Sequence, residues 1–356
     1  MTTIDQLAEI HRLAVAGREQ PIARVTGDRL GRIWLGWSRF ADVLALARST
    51  LTLGPDPSAL YDLGWAQLAT GRTHQAAASF EEALRLYREA GDRVNEAATL
   101  NNIGSVHERL GDRRRALEYL QRVLPITREV GDREGEGSVL NNIGVLYDKL
   151  GDQQRALEYF RQALSIRREV GDRPGEAITF NNMGSAYGRL GDVPRALEYF
   201  QRALPILRAV GDRAGEAVSL NSIGGVYDRL GDQQRALEYF LQALVIRREV
   251  GDRAGEAITL ANIGVVAAAG GAWQQAVDYF QEALVILQEV GDRAGEAVIR
   301  FNLAMRYRAF GDLDRAVSEL EIVVELDRQT GHPDLAADAA ALEEVRQELA
   351  RARAAS

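Results

Sequence analysis

Residues 134–173 read EGEGSVLNNIGVLYDKLGDQQRALEYFRQALSIRREVGDR, two amphipathic segments joined by a glycine turn. In the first, Leu140, Ile143, Tyr147 and Leu150 recur at 3-4-3 spacing, which lines one face of a helix. In the second, Ala156, Phe160, Ala163, Leu164 and Ile166 fall on another such face, between Gly151 and Gly171. Each glycine suits the left-handed position that ends a helix. The aspartate after it suits an N-cap, where a carboxylate accepts from the free backbone N–H groups of the next helix. The stretch therefore predicts a helical hairpin, whose halves we call helix A and helix B.

The hairpin recurs along the chain. Gly-Asp-Arg stands at 91, 131, 171, 211, 251 and 291, a 40-residue period, and a second Gly-Asp at 111, 151, 191, 231 and 311. Units start near 94, 134, 174, 214, 254 and 294, and a shorter, more divergent one with Leu63, Gly64, Gly71, Ala76 and Phe80 precedes them. The pattern Leu140-x2-Ile143-Gly144-x2-Tyr147 followed by Ala156-x3-Phe160 resembles the tetratricopeptide repeat, with Leu where that family begins with Trp. The long period and the Asn-Asn-Ile-Gly signature are similar to the repeats of kinesin light chain and of the Pins/LGN spindle-orientation adaptors. The resemblance implies an all-α fold, a right-handed α-solenoid (superhelix) of antiparallel helix pairs, with helix A lining a concave groove that binds peptides.

A solenoid must cover its last apolar faces with elements whose outer side is polar. Residues 332–356 suit a capping helix, with Leu335, Leu342, Val345 and Leu349 on one face. Residues 1–55 read as a divergent helical N-terminal cap, in which Leu35-Gly36 and Phe40 to Leu44 are the turn and second helix of a decayed repeat. The repeat array itself is expected over 56–331, about seven repeats. Pro125 and Pro205 stand late in helix B, where each removes a backbone hydrogen bond; a bend and a tolerated irregularity are both open there.

Composition narrows the function. Of 356 residues 46% are hydrophobic and 26% charged, and no apolar run is long enough to span a bilayer, so no membrane association is expected. Asp5 and Glu9 stand where a secretory signal would be basic or apolar, and the chain has no cysteine, so a cytoplasmic location is expected. The net charge of −8 disfavours a nucleic-acid partner, whose affinity depends on clustered Lys and Arg. The 43 basic residues include a single lysine, Lys149, a bias that reads as GC-rich, bacterial coding. The four histidines share no metal-ligand spacing, and His107 occupies a position that is Tyr in neighbouring units. There is no phosphate loop, and Glu136, Glu176, Glu216, Glu256 and Glu296 sit in first turns of helix A, where negative charge favours the helix dipole. We expect no catalysis, no metal and no cofactor.

Binding residues are those on helix A that its buried face leaves over. In the unit from 94 these are Ala98, Asn102, Ser105 and Arg109. Across units they form one ladder of Asn102, Asn142, Asn182, Ser222, Asn262 and Asn302, and the preceding positions form another of Asn101, Asn141, Asn181 and Asn221. A mid-helix Asn is unfavourable by propensity, so the ladders need a cause. One is a bond to a neighbouring helix; the other is an amide clamp on the backbone of an extended peptide. Both are open for the Asn101 ladder. For the Asn102 ladder the resemblance implies peptide contact, because in the related families an Asn at the matching position touches the ligand.

Arg109, Lys149, Arg189 and Arg229 form a basic row beside Glu108, Asp148 and Asp228. They either attract the carboxylates of an acidic peptide or pair with those neighbouring acids. Toward the C-terminal end Val265, Ala269, Phe301 and Met305 form an apolar pocket for a hydrophobic anchor, unless the terminal helix covers them; Tyr61 and Trp65 are possible aromatic contacts. The expected partner is an extended acidic segment with a hydrophobic anchor, bound by a monomer or weak homo-oligomer. The alternatives are a peptide-sensing regulator and a self-assembling module, each acting with a separately encoded effector. A transcriptional regulator would carry a basic helix-turn-helix, which residues 1–55 do not supply.

Overall fold

The Gly-Asp turns act as their chemistry dictates. In the computed structural model, which describes residues 3–355, Gly131 and Gly151 adopt φ of 73° and 88°, the left-handed region. Asp132 then accepts the backbone N–H of Gly135 at 2.8 Å and Asp152 that of Arg155 at 3.1 Å. Eighteen helices and no strand occur among the described residues: α1 (Ile4–Ala16), α2 (Gln20–Gly36), α3 (Phe40–Leu51), α4 (Pro57–Ala69), α5 (Thr73–Glu89), α6 (Arg93–Arg109), α7 (Arg113–Glu129), α8 (Arg133–Lys149), α9 (Gln153–Glu169), α10 (Arg173–Arg189), α11 (Val193–Val210), α12 (Arg213–Arg229), α13 (Gln233–Val250), α14 (Arg253–Ala269), α15 (Trp273–Val290), α16 (Arg293–Ala309), α17 (Leu313–Thr330) and α18 (Leu335–Ala355).

They form two compact units, up to Thr179 and from Phe180 on, so that the boundary falls inside α10. In the first unit α4/α5, α6/α7 and α8/α9 are successive A/B hairpins, preceded by α1, α2 and α3. In the second, α12/α13, α14/α15 and α16/α17 are such hairpins and α18 follows on α17. Residues 1–55 thus carry three helices, more than a single decayed hairpin. The prolines break nothing: α7 and α11 run through Pro125 and Pro205 and end at the same repeat position as α9 and α13, to within a residue.

The motif residues make the hairpin. Leu140, Ile143 and Phe160 are fully buried, and the Phe160 ring lies so close to α8 that a methyl on Gly144 would sit 2.6 Å from it. Glycine is required there by the close A/B approach. In the α6/α7 hairpin, where Leu120 replaces the Phe, the same methyl on Gly104 would clear Leu120 by 3.3 Å. Tyr147 stacks on Tyr159 at 5.4 Å, and His107 keeps that arrangement by stacking on Tyr119 at 5.3 Å.

The first-turn glutamates do more than answer the helix dipole. Buried Glu216 accepts from Arg208 at the end of α11 (2.7 Å) and from Arg213 of its own helix (2.6 Å), while Arg213 also reaches Glu249 at the end of α13 (2.5 Å). Burial pushes the Glu216 carboxyl up, but the two arginines outweigh it and leave it below its ordinary 4.5. The same clip joins Arg128, Arg133, Glu136 and Glu169. This accounts for the recurrence of the arginine of Gly-Asp-Arg and of the glutamate three residues beyond it along this chain.

Candidate functional site: the helix A faces

The two asparagine ladders part company in the structure. Asn141 is buried, and its Oδ1 accepts from Thr179 Oγ1 at 3.4 Å. Asn181 accepts from Ser219 at 2.9 Å, and Asn221 from Thr259 at 3.2 Å. Each bond joins one helix A to the next, 38 residues on. Asn101 meets Val139 at that offset and lacks a hydroxyl partner. This ladder therefore serves the inter-repeat role in α8, α10 and α12, and the hydroxyl row that partners it is a signal the sequence reading missed.

In the other ladder Asn142 is exposed and Asn182, Ser222, Asn262 and Asn302 are half-buried, whereas Asn102 is buried with its amide nitrogen unbonded among the described residues. Asn262 donates to Asn221 at 3.2 Å. Asn142 borders a shallow cavity of about 220 Å³ with Gly104, Ser105, Glu108, Leu120, Val145 and Leu146. Ser222 lines a second, of about 260 Å³, with Ser185, Arg189, Phe200, Gly225 and Arg229.

The basic row is partly spent within the chain. Lys149 pairs with Glu108 of the preceding helix A at 2.5 Å, and Arg229 donates to the Gly188 carbonyl at 2.9 Å. Arg109 is exposed and enters no ion pair among the described residues; Arg189 is also exposed. Four evenly spaced cations free for a ligand are therefore not what the fold presents, because these side chains are long enough to span one repeat and brace it.

The expected apolar pocket is also corrected. Phe301 and Met305 are half-buried against Ala304, Leu342 and Val345, so α18 covers them, while Val265 and Ala269 stand exposed on α14. Phe301 instead helps line a cleft of about 350 Å³ with Val298, Asn302, Asp327, His332 and Asp338. Tyr61 packs edge-on against Phe80 at 5.7 Å, and Trp65 is exposed.

An apolar surface exists one step along the stripe. Val218, Ile258 and Val298 on α12, α14 and α16 are 45%, 54% and 54% exposed and stand at one repeat position, four residues before Ser222, Asn262 and Asn302. Their spacing on helix A is that of Ala98, so the pattern held them although their row went unread. No group of side chains among the described residues could hold a metal ion, and no helix is long and apolar enough to cross a membrane.

A family model described as tetratricopeptide repeat matches residues 95–169, 175–249 and 255–329, and a second of that description matches 58–90. The chain belongs to the tetratricopeptide repeat family. No curated protein sequence matches it. Among solved structures it is similar to a signal transduction ATPase with numerous domains carrying a tetratricopeptide repeat sensor, from Pyrococcus horikoshii, at 15% identity and TM-score 0.66, over 90% of this chain and 49% of that one. The chain thus spans about half the length of that protein. It is also similar to the apo form of RapI, at 18% identity and TM-score 0.63 over 76% of this chain and 97% of that one. A Rap protein complexed with Competence and Sporulation Factor gives 14% identity and TM-score 0.59 over 92% and 99%. At these identities the likeness is one of fold.

Proposed function

We propose that this chain is a non-enzymatic protein-interaction scaffold that holds an extended peptide segment of a partner along its helix A faces. The observation that carries it is the exposed row Val218, Ile258 and Val298 beside Ser222, Asn262 and Asn302. Exposed β-branched side chains aligned with amide and hydroxyl groups offer apolar contact and backbone hydrogen bonds together, which an extended segment needs. An extended segment presents its side chains at regular intervals, so regularly spaced apolar residues would meet successive repeats. A partner is found on this fold in the Rap complex with Competence and Sporulation Factor, which supports the reading.

The test is selection from an extended-peptide library by the full chain. We expect enrichment of segments with regularly spaced aliphatic residues, lost in a Val218→Ser/Ile258→Ser/Val298→Ser variant of unchanged thermal stability and weakened in Asn302→Ala. Equal enrichment by all three proteins refutes the proposal.

A further inference from the structure

The last helix B inverts a charge. The position that is Arg167 in α9 and Arg247 in α13 is Asp327 in α17. Buried Arg247 finds Asp252 at 2.7 Å. Asp327 is 1% exposed, and no N–H group or hydroxyl donates to either of its carboxylate oxygens among the described residues. The Nδ1 of His332 lies 3.9 Å from it but accepts the backbone N–H of Asp334 at 3.3 Å, so in this arrangement it has no proton to offer. Asp338 shares the cleft, and its carboxyl is pushed up to about 6, by burial first and then by a hydrogen bond with Asp327 and the charges of Asp327 and Asp334, against His332. A buried carboxylate whose one hydrogen-bonding neighbour is another carboxyl is costly, because no cation offsets its charge.

We propose that this cleft receives the guanidinium of an arginine side chain from the segment bound along α12, α14 and α16. The inference rests on the scaffold reading and names one side chain of the ligand. Its volume of about 350 Å³ accommodates one long side chain, and its walls have the matching chemistry. Asp327 and Asp338 offer carboxylate oxygens to a planar fork of donors, which an ammonium lacks. Phe301 and Val298 supply an aromatic and an aliphatic wall for the guanidinium and its stem, and Asn302 an amide oxygen. Val298 is also the last member of the aliphatic row, so a segment whose apolar residues follow that row delivers the arginine at its end. Protonation of Asp338 removes attraction, so the contact weakens as the pH falls through about 6.

The experiment titrates the full, methyl-labelled chain with N-acetyl-arginine amide, its neutral isostere N-acetyl-citrulline amide, and N-acetyl-lysine amide, reading the Val298 methyl resonances. Arginine amide should shift them saturably, lysine amide more weakly and citrulline amide not at all. Asp327→Asn should weaken arginine binding by about tenfold or more, as loss of one partner of a buried charge pair does. If Asp327→Asn does not fold, Asp338→Asn is expected to act in the same direction. Unmoved methyls, an equal response to citrulline or lysine, or undiminished binding by both variants overturns the proposal. Failure of the peptide selection with a positive arginine titration would refute the scaffold reading alone.

Discussion

Asp62 offers the sharpest quantitative test. It is a buried residue of α4, opposite α2, and its carboxyl is pushed up to about 7 by burial first, then by Asp28, with Asp56 adding and Arg32 opposing. A carboxyl whose folded value lies above its ordinary 3.8 favours folding while both states are protonated, and that advantage disappears as the pH rises toward about 7. Asp62→Asn keeps the shape and removes the titration. The gain in stability should be near zero at about pH 3, about 2 kcal/mol near pH 5, and level off at roughly 4 kcal/mol above about pH 8. Because a repeat protein opens locally, the assay is hydrogen exchange of α2 and α4 amides in the full chain, converted to opening free energies. A difference between variant and wild type that is constant between about pH 5 and pH 8.5, or that favours wild type at the higher pH, refutes the reasoning.

The glutamate clip carries the opposite sign: Glu96 and Glu216 lie below their ordinary 4.5, so their stabilisation is present above that value and lost as the pH falls through the lowered one. Melting curves of Glu216→Gln should show a deficit near neutral pH that closes in acid. Asn221→Ala removes the acceptor shared by Asn262 and Thr259, leaving the Thr259 hydroxyl to the Gly255 carbonyl, and should cost about 1 kcal/mol by urea unfolding, whereas Asn142→Ala should cost less than about 0.5 kcal/mol. Gly144→Ala should destabilise by about 1–3 kcal/mol through the Phe160 ring, and adding Phe160→Leu should recover part of that loss, as the Gly104/Leu120 pair suggests.

Hairpins, turns and period were legible because each is written in local sequence: a 3.6-residue apolar rhythm and a glycine, in most cases followed by aspartate, at the junctions of the array. The partner of the Asn141 ladder was also written there, at an offset no single hairpin displays. Asn181 and Asn221 precede Ser219 and Thr259 by 38 residues, and where the ladder becomes Ala261 the partner becomes Ile299. The fate of Lys149 and Arg229 was not legible, since it depends on how far a flexible side chain must reach to the previous helix A. The covering of Phe301 and Met305 was equally hidden. It follows from where α18 docks, and the apolar positions of α18 fit a cap without saying which face it covers. The unbalanced charge of Asp327 shows only once burial is known, for on a surface it would be ordinary.

The clip through Arg208, Glu216, Arg213 and Glu249 has a consequence for how such a chain can change. Each connection is defined by a fixed offset within the period and by residues that most interior units supply again, with Ala209 and Gln288 as departures. A second copy of 214–253 inserted after Arg253 would meet, at both of its junctions, the same donors and acceptors the original neighbours meet. An insertion that is not a whole number of units would sever them. The array can therefore grow or shrink in whole units by recombination between its own similar segments, with the number of helix A faces changing in steps and the joints between units left intact.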